Sequence, residues 1–462
     1  MRNNYNFKYI AAISMVSALG GLLFGYDWVV IGGAKPFYEQ FFDIATFPEL
    51  QGWAMSCALI GCIGGTVLSG MLADNLGRKK LLIAAAALFV VSALGTGLAN
   101  QFWVFVLYRV IGGVGIGLAS NLSPMYIAEV APANIRGRFV AVNQLTIVIG
   151  ILLAQIINWM IAEPVSENAT AADILNSWNG KQGWRYMFWA EAIPAMLFFI
   201  LMWFVPDSPR WLMRSDKTPK ANAILKRIGG ELYAENAIAE IKTSILSQDK
   251  QLGLSALLNK KIWPVLIIGV VLAVFQQWCG INVIFLYAEE VFASAGYHVS
   301  DMLFNVIIIG SVNLLFTIVA MTLVDKIGRK SLMLIGSFGL MVIYAIMGTL
   351  YFLGVQGAPL LILVVSAIAC YAMTLAPVVW IVLSEIFPNK IRGAAMAVAT
   401  FMLWTSNALL AFFFPIVNKL LNASGTFWLF AVICGAGFLF VWFRTTETKG
   451  KTLEEIEREL NL

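Results

Sequence analysis

The chain alternates between long apolar runs and short polar breaks, and this alternation predicts its architecture. A run of about 20 apolar residues is long enough to cross the hydrocarbon of a bilayer as an α-helix. Twelve such runs lie at residues 9–33, 52–73, 80–99, 103–128, 139–162, 185–205, 262–293, 302–324, 331–354, 359–384, 394–417 and 426–443. We therefore predict an all-α membrane protein with twelve transmembrane helices.

The polar breaks divide these runs into two sets of six. The longest hydrophilic stretch separates the sets, and its apolar positions follow helical periodicity over Ala221–Ile228 and Ala234–Leu246. We predict an N-terminal six-helix half, a linker folded as a small intracellular helical bundle, a C-terminal six-helix half and a cytoplasmic tail. These four segments are residues 1–205, 206–261, 262–443 and 444–462.

Two short charged motifs each occur twice. Asp-Asn-Leu-Gly-Arg-Lys at 74–79 returns as Asp-Lys-Ile-Gly-Arg-Lys at 325–330. Glu-x-x-Pro-x-x-Ile-Arg-Gly at 129–137 returns at 385–393. Every copy lies in a charged break between apolar runs. A duplicated membrane bundle favours a transporter, because two like halves can rock about a site between them.

Composition indicates that lipid is the solvent of this chain. Of its 462 residues, 60% are hydrophobic and 12% are charged, whereas soluble domains carry about 25% charged residues. If the N-terminus is cytoplasmic, only Lys35, Lys181, Arg185 and Lys419 of the 31 Lys and Arg lie outside, and Arg109 lies within a span. This bias is typical of cytoplasmic loops. We expect an integral protein of the plasma membrane with both termini cytoplasmic.

The sequence contains no pattern typical of a cofactor site or an enzyme. The five cysteines lie inside apolar runs without metal-ligand spacing, so we expect them to be small buried hydrophobes. Gly450-Lys451-Thr452 is not a phosphate loop, because Thr445 stands where the first Gly is required. We therefore expect no cofactor, no metal, no catalytic site and no nucleic-acid partner. Uphill transport would have to draw on an ion gradient.

Several motifs give the chain a specific resemblance to a known family. Gly-x-x-x-Asp-x-x-Gly-Arg-Lys at 70–79 resembles the signature loop of the major facilitator superfamily. Pro-Asp-Ser-Pro-Arg-Trp-Leu at 206–212 is similar to the motif that follows the sixth span in the sugar porter family. Gln-Gln-x-x-Gly-x-Asn at 276–282 and Glu-Thr-Lys-Gly at 447–450 resemble two further motifs of that family. The chain departs from these patterns at Asp207, where Glu is usual, and at Thr446, where Pro is usual.

Charged side chains at the predicted cytoplasmic helix ends are candidates for a gate. They can pair across neighbouring helices when the site faces outward and separate when it faces inward. The resemblance implies this role for Asp74, Arg78, Glu129, Arg136, Asp325, Arg329, Glu385 and Arg392. For any one of them, the alternative is a charge that only sets membrane topology.

Three ionisable residues, Asp27, Arg109 and Glu191, lie well inside predicted spans. A charge there costs at least about 2.5–3.5 kcal/mol on insertion scales, so each needs a partner or a wet cavity. Asp27 and Arg109 both fall in the outer half of their spans and can pair, either structurally or as a proton switch. The resemblance implies the switch, because these positions match the carboxylate and arginine of proton-coupled sugar porters. Glu191 either joins this network or makes a packing hydrogen bond.

A sugar carries many hydroxyl groups and no charge, so its site should combine amides with flat aromatic faces. Candidates that match the family's sugar-binding positions are Gln144, Gln276, Gln277, Asn282, Asn313, Trp380, Trp404 and Asn407. Phe24 matches an aromatic lining position, and Tyr287 is a candidate for the outer gate. Each amide taken singly could instead hold helices together. Leu286 and Leu403 stand where members of the family have Tyr and Gln, so the sugar stays undetermined.

We therefore expect a proton-coupled symporter for a xylose- or hexose-type monosaccharide that works by alternating access as a monomer. A passive sugar uniporter is the main alternative, and it would lack sugar-dependent proton entry. A non-transporting sugar sensor on the same fold is a further alternative, although the tail after Arg444 is short for one.

Overall fold

The computed structural model describes residues 5–166, 169–248, 257, 259, 262–388 and 391–449. The predicted tail motif at Gly450, the tail beyond it and most of 249–261 in the predicted linker lie outside the described residues. The side chain of Asp325 also lies outside them.

The described part of the chain is built from helices and contains no strand. The first helices are α1 (Phe7–Phe41), α2 (Pro48–Leu76), α3 (Arg78–Leu98), α4 (Phe102–Val130), α5 (Arg136–Ile161), α6 (Ala171–Asn176) and α7 (Trp184–Phe204), with a π-helical turn at Asn179–Gly183. Three short helices follow: α8 (Pro209–Arg214), α9 (Thr218–Gly229) and α10 (Glu231–Gln248). The remainder are α11 (Trp263–Trp278), α12 (Ile281–Leu286), α13 (Ala288–Ser294), α14 (Val299–Ile327), α15 (Arg329–Phe352), α16 (Ala358–Met373), α17 (Leu375–Ile386) and α18 (Arg392–Arg444).

The helices confirm the predicted twelve-span architecture. Within the described residues, eleven helical segments are long and apolar enough to cross a membrane. The last of them, α18, contains the non-helical residue Asn422 at φ 58° and ψ 176°, which divides its 53 residues into two spans. Helices α9 and α10 contain the two periodic segments of the linker, so the small helical bundle forms as predicted.

Two of the predicted spans are broken into shorter helices. Span 262–293 is interrupted after α11 at Gly280, whose φ of 89° lies in the left-handed region that favours glycine. Span 359–384 is interrupted at Thr374, between α16 and α17. Pro377 accounts for the second break, because its ring clashes with the carbonyl four residues earlier, at Met373, where α16 ends.

The structure divides into two compact units. Unit 1 comprises Met1–Asp27, Ile60–Ile151 and Phe188–Gln251, and unit 2 comprises Trp28–Leu59, Leu152–Met187 and Leu252–Leu462. The boundaries fall inside α1, α2, α5 and α7. The two units therefore divide the chain differently from the four predicted segments. Those segments stay a prediction.

In unit 1, α2 and α4 approach each other along a glycine seam. A Cβ atom on Gly61 would lie 2.1 Å from the carbonyl O of Val110, and one on Gly65 would lie 2.2 Å from that of Val114. Glycine therefore permits direct backbone packing, which small residues provide between helices in lipid.

The short helices α9 and α10 are held to unit 1 by apolar packing. Leu225, Ile228 and Ala234 cluster with Ile10 of α1 and Ile127 of α4, and all five are at most 3% exposed. This burial explains the helical periodicity of the linker sequence, since its apolar stripe has a core to face.

The repeated charged motifs contain equivalent turns. Gly77, between α2 and α3, has φ 85° and ψ 159°, and Gly328, between α14 and α15, has φ 102° and ψ 156°. This backbone region is accessible essentially only to glycine. A Cβ atom would also meet the Trp211 ring at 2.8 Å from Gly77, or the Glu447 carboxylate at 2.7 Å from Gly328.

We predict that Gly77→Ala and Gly328→Ala each destabilise the protein by about 1–3 kcal/mol, because alanine is strained in this backbone region. Thermal unfolding of purified protein in detergent measures the effect. Gly64→Ala is the matched control, since that helical glycine has no atom within 4 Å of its added Cβ. Equal melting temperatures for all three variants would contradict the requirement for glycine at the turns.

Candidate functional site

Unit 1 contains a fully buried ion pair between α1 and α4. An Nη1 of Arg109 bonds the Oδ1 of Asp27, and its Nη2 donates to the Asp27 backbone carbonyl at 3.1 Å. The side chains of Arg109 and Asp27 are 2% and 0% exposed. The guanidinium also lies over the Phe188 ring, 5.5 Å from its centroid. These contacts meet the requirement that a charge at membrane depth have a partner.

A second carboxylate, that of Glu191 on α7, adjoins this pair. Glu191 is 1% exposed and interacts electrostatically with Asp27 and Arg109. Within the described part of the chain, Asp27 Oδ2 and Glu191 Oε1 have no hydrogen-bond partner. Two acids therefore lie near one guanidinium, and a single positive charge cannot balance both. One proton can complete this balance.

Gly112 of α4 provides space for the carboxylate. A Cβ atom at Gly112 would lie 2.9 Å from Asp27 Oδ2 and 2.3 Å from the hydroxyl of Ser92. Glycine at position 112 therefore leaves the space that the Asp27 carboxylate occupies in the ion pair.

Unit 2 contains a chain of buried amides at the break between α11 and α12. Asn282 Nδ2 donates to Gln277 Oε1 at 2.6 Å, and Gln277 Nε2 donates to Gln276 Oε1 at 3.0 Å. Gln276 Nε2 then donates to the backbone carbonyl of Ala376 at 3.3 Å, at the start of α17. The left-handed Gly280 interrupts the helix and folds Asn282 back onto Gln277. The sequence therefore brings three of its predicted sugar-binding amides together.

Asn407 of α18 lies near these hydrogen-bonded amides but is not bonded to them. It is fully buried, and neither amide atom has a hydrogen-bond partner among the described residues. Asn407 lines a narrow crevice, too tight for a water molecule, with Asn282, Val283, Leu286, Tyr287, Leu410 and Ala411. Tyr287 is also fully buried, and its hydroxyl donates to the backbone carbonyl of Ala411. A polyol could meet Asn407 only if this crevice widened.

The other predicted sugar-binding residues lie in several environments. Asn313 and Trp404 of unit 2 are buried, and Trp404 contacts Trp28 at 5.9 Å between ring centroids. Trp380 of the same unit is 37% exposed. In unit 1, Gln144 is exposed and Phe24 is half-buried.

The first copy of the charged motifs forms an ion-pair network in unit 1. Arg78 Nη2 lies 2.9 Å from Glu129 Oε1, and Arg78 Nη1 lies 3.3 Å from Asp74 Oδ1. Arg214 of α8 lies 2.6 Å from the other oxygen of Asp74. Arg136 is exposed on the first turn of α5 and takes no part in these ion pairs. The network links α2, α3, α4 and the first short helix of the linker.

The second copy repeats the central pair in unit 2. Arg329 Nη2 lies 3.3 Å from Glu385 Oε1, as Arg78 pairs with Glu129 in the first copy. Thr448 donates its hydroxyl to the second oxygen of Glu385. Arg392 instead donates its Nε to the backbone carbonyl of Phe387 at 3.2 Å.

Glu447 of the C-terminal motif caps the start of α15. Its carboxylate accepts hydrogen bonds from the backbone N–H groups of Arg329 and Lys330, at 2.9 and 3.1 Å. Burial raises the pKa of Glu447, but the backbone N–H donors, led by that of Lys449, outweigh it and hold the pKa below its ordinary value. The carboxylate therefore fixes this turn in its charged form.

Sequence analysis missed a further charge cluster, in the C-terminal part of α1. Lys35 Nζ lies 3.0 Å from Glu39 Oε1 and 2.6 Å from Glu290 Oε1 of α13. The three side chains are 2%, 6% and 22% exposed. The predicted first span ends at residue 33, whereas α1 continues to Phe41. The spacing of Lys35 and Glu39, four residues apart, was the available signal that this turn is helical and paired.

A twelve-span membrane bundle that buries an ion pair and a chain of amides has the features of a secondary transporter. The chain belongs to the family described as Sugar (and other) transporter, whose sequence profile matches residues 13–460. The resemblance found in the charged motifs is thereby confirmed.

Named relatives cover nearly the whole chain. The D-xylose-proton symporter of Escherichia coli (strain K12) is 40% identical, over 99% of this chain and 97% of the relative. The arabinose-proton symporter of Bacillus subtilis (strain 168) is 37% identical, over 98% of this chain and 96% of the relative. A solved structure titled as the inward open conformation of the xylose transporter XylE from E. coli matches with a TM-score of 0.85 at 39% identity, over 97% of this chain and 99% of that chain.

We predict that Lys35→Met lowers the melting temperature of the purified protein, by the equivalent of about 3–5 kcal/mol, because the buried Glu39 and the half-buried Glu290 lose their cation. The triple variant with Lys35→Met, Glu39→Gln and Glu290→Gln should recover most of the loss, since it removes the uncompensated charge. If Lys35→Met unfolds at the wild-type temperature, the cluster contributes no net stability.

Proposed function

We propose that this protein is a proton-coupled monosaccharide symporter that works by alternating access. Two relatives named as a D-xylose-proton and an arabinose-proton symporter align over nearly the whole chain and support this proposal. The substrate is a neutral pentose or hexose, and the driving force is the inward proton gradient. The buried Asp27–Arg109 pair is the observation that carries the proposal.

Asp27 is the proton carrier in this account. In the state described here, Arg109 compensates its negative charge, which suits a deprotonated carrier that has released its proton inside. Separating Asp27 from Arg109 would leave a buried carboxylate without a cation, and such a group avoids the cost by binding a proton. Glu191 supports this role as the neighbouring acid, because a negative charge on it would interact unfavourably with that of Asp27.

Sugar binds to the amides of unit 2 in this account. Each amide offers donors and an acceptor, and together they suit a ligand whose hydroxyl groups both donate and accept. The chain from Asn282 through Gln277 to Gln276 fixes the orientation of these groups before the ligand arrives. Asn407 supports the assignment, since its buried amide is left without a partner in this state. Leu286 contributes an apolar wall and therefore limits which hydroxyl pattern fits.

We assign this structure to a state that is closed toward the outside. The outer part of α1 packs tightly within unit 2: a Cβ atom on Gly32 would lie 3.2 Å from the carbonyl O of Leu286. The Lys35–Glu290 ion pair joins the same part of α1 to α13. At the start of α2, a Cβ atom on Gly52 would lie 2.3 Å from the carbonyl O of Phe412. The similarity to the inward open structure supports the assignment.

The protein is proposed to lie in the bacterial inner membrane with both termini cytoplasmic and to work as a monomer. The placement of Lys and Arg supports this topology, and the bacterial relatives support the location. The charged-motif networks are proposed to form the cytoplasmic gate.

We predict that Asp27→Asn abolishes uphill sugar accumulation but retains sugar exchange, because an amide cannot carry a proton. The measurement is uptake into vesicles of purified protein, with D-xylose, L-arabinose and D-glucose, with and without an inward proton gradient. Asp301→Asn is the control, since this carboxylate is exposed at the first turn of α14. Full accumulation by Asp27→Asn would refute the coupling role.

A further inference from the structure

A buried amide in the outer part of α5 has no role in the proposed binding site. Gln155 is 3% exposed, and neither its Nε2 nor its Oε1 has a hydrogen-bond partner among the described residues. Leaving a buried polar group unpaired costs about 1–3 kcal/mol. An amide that served only to hold helices together would be bonded across the interface. The two free functional groups of Gln155 therefore point to a ligand that another state admits.

The packing of α5 on α14 makes room for Gln155. A Cβ atom on Gly310 would lie 1.9 Å from Gln155 Oε1, so only glycine at this position permits the observed side chain. A second contact follows further along the two helices, where the rings of Trp159 and Phe304 are 6.1 Å apart between centroids. These two contacts set the register of the helices.

A second unpaired amide, that of Asn305, falls between these contacts on α14. Asn305 is 6% exposed, and its Nδ2 has no hydrogen-bond partner among the described residues. Asn305 therefore lies on the helix that packs against Gln155 through Gly310, within unit 2. Between them, Gln155 and Asn305 offer unpaired donors and an unpaired acceptor.

Asn158 of α5 connects this interface to the outer part of α1. Its Nδ2 donates to the backbone carbonyl of Val30 at 3.0 Å, while its Oδ1 has no partner among the described residues. A Cβ atom on Gly33 would lie 2.3 Å from Asn158 Nδ2, so α1 rests directly on this side chain. The neighbouring Gly32 rests on the backbone of Leu286. One short stretch of α1 therefore covers Asn158 and also packs against the wall of the Asn407 crevice.

We propose that Gln155, Asn158 and Asn305 form an outer amide station, which binds sugar hydroxyl groups while the protein is open to the outside. The inference rests on the proposed symport of a neutral sugar. Movement of α1 away from α5 would uncover Asn158 and admit the ligand. In the closed state the sugar has left, and the amides of Gln155 and Asn305 lose their partners. The station would therefore add affinity on the outer face alone and favour release on the inner face.

The test compares wild type with Gln155→Met, Gln155→Asn and Asn305→Leu in proton-driven uptake by intact cells. The probe is D-xylose, or D-glucose if wild-type cells take up no D-xylose. Gln155→Met and Asn305→Leu should raise the outside apparent KM about three- to tenfold, which corresponds to one lost hydrogen bond. The maximal rate should change little. Gln155→Asn keeps the amide group on a shorter side chain, so its apparent KM should lie between those of wild type and Gln155→Met.

Two further readouts separate ligand binding from a structural role. The first readout uses derivatives of the probe that each lack one hydroxyl group. One of them should bind weakly to wild type and equally weakly to Gln155→Met, because the missing hydroxyl and the missing amide belong to the same hydrogen bond. The melting temperature of sugar-free Gln155→Met should be no lower than that of wild type, because the variant removes an unpaired amide. Asn121→Leu is the matched control, since Asn121 Nδ2 is bonded to Ser69 Oγ at 2.9 Å. This control should lower the melting temperature and leave KM unchanged.

The outer amide station would be overturned if Gln155→Met, Gln155→Asn and Asn305→Leu all had the wild-type KM and the wild-type affinities for the deoxy derivatives. The proposed symport would be unaffected by that result. A lower melting temperature for both Gln155 variants with unchanged KM would assign Gln155 to structure and also overturn it. If wild-type protein takes up neither sugar, the proposed function itself fails.

Discussion

The bond between Asp27 and Arg109 is the interaction on which the rest of the structure depends. Neither charge could remain at membrane depth alone, so α1 and α4 are held together wherever the pair is intact. The neighbouring Glu191 adds a second acid to the site. Protonation of Asp27 is therefore the simplest way to separate it from Arg109 without leaving a buried carboxylate unpaired. In the proposed symport, this constraint couples sugar movement to proton movement.

In the proposed account, helix α1 connects the proton site to the segment that closes the outside. Asp27 is the last α1 residue of unit 1, and Trp28 is the first of unit 2. Within the next nine residues, Gly32 packs on the backbone of Leu286, and Lys35 pairs with Glu290. Asp27 is thus covalently continuous with the segment that is proposed to close the outside. The Lys35 cluster gives that closure a defined geometry, and the glycine contacts allow close backbone packing.

Hydropathy and helical periodicity predicted the helix count and the short linker helices, because lipid burial and periodicity act locally along the sequence. The family was predicted from motifs that resemble those of the sugar porters. The division of α18 at Asn422 agrees with the two separate apolar runs in the sequence. The pairing of Asp27 with Arg109 was predicted, but other features that depend on pairing between distant residues were missed. The predicted end of the first span at residue 33 excluded Lys35, because its partner Glu290 lies on another helix. The sequence did not single out Gln155 either, because its distinguishing feature is a buried amide without a hydrogen-bond partner among the described residues, which only the folded structure shows. The sequence identified amide candidates but could not show that three of them form one hydrogen-bonded chain.

The most direct test of the account is the pH of the medium when sugar is added to weakly buffered, de-energised cells that express the protein. Proton-coupled entry predicts a transient rise in external pH that requires a transported sugar and disappears with a protonophore. Sugar entry at the same rate without any change in external pH would contradict the account and favour a passive uniporter.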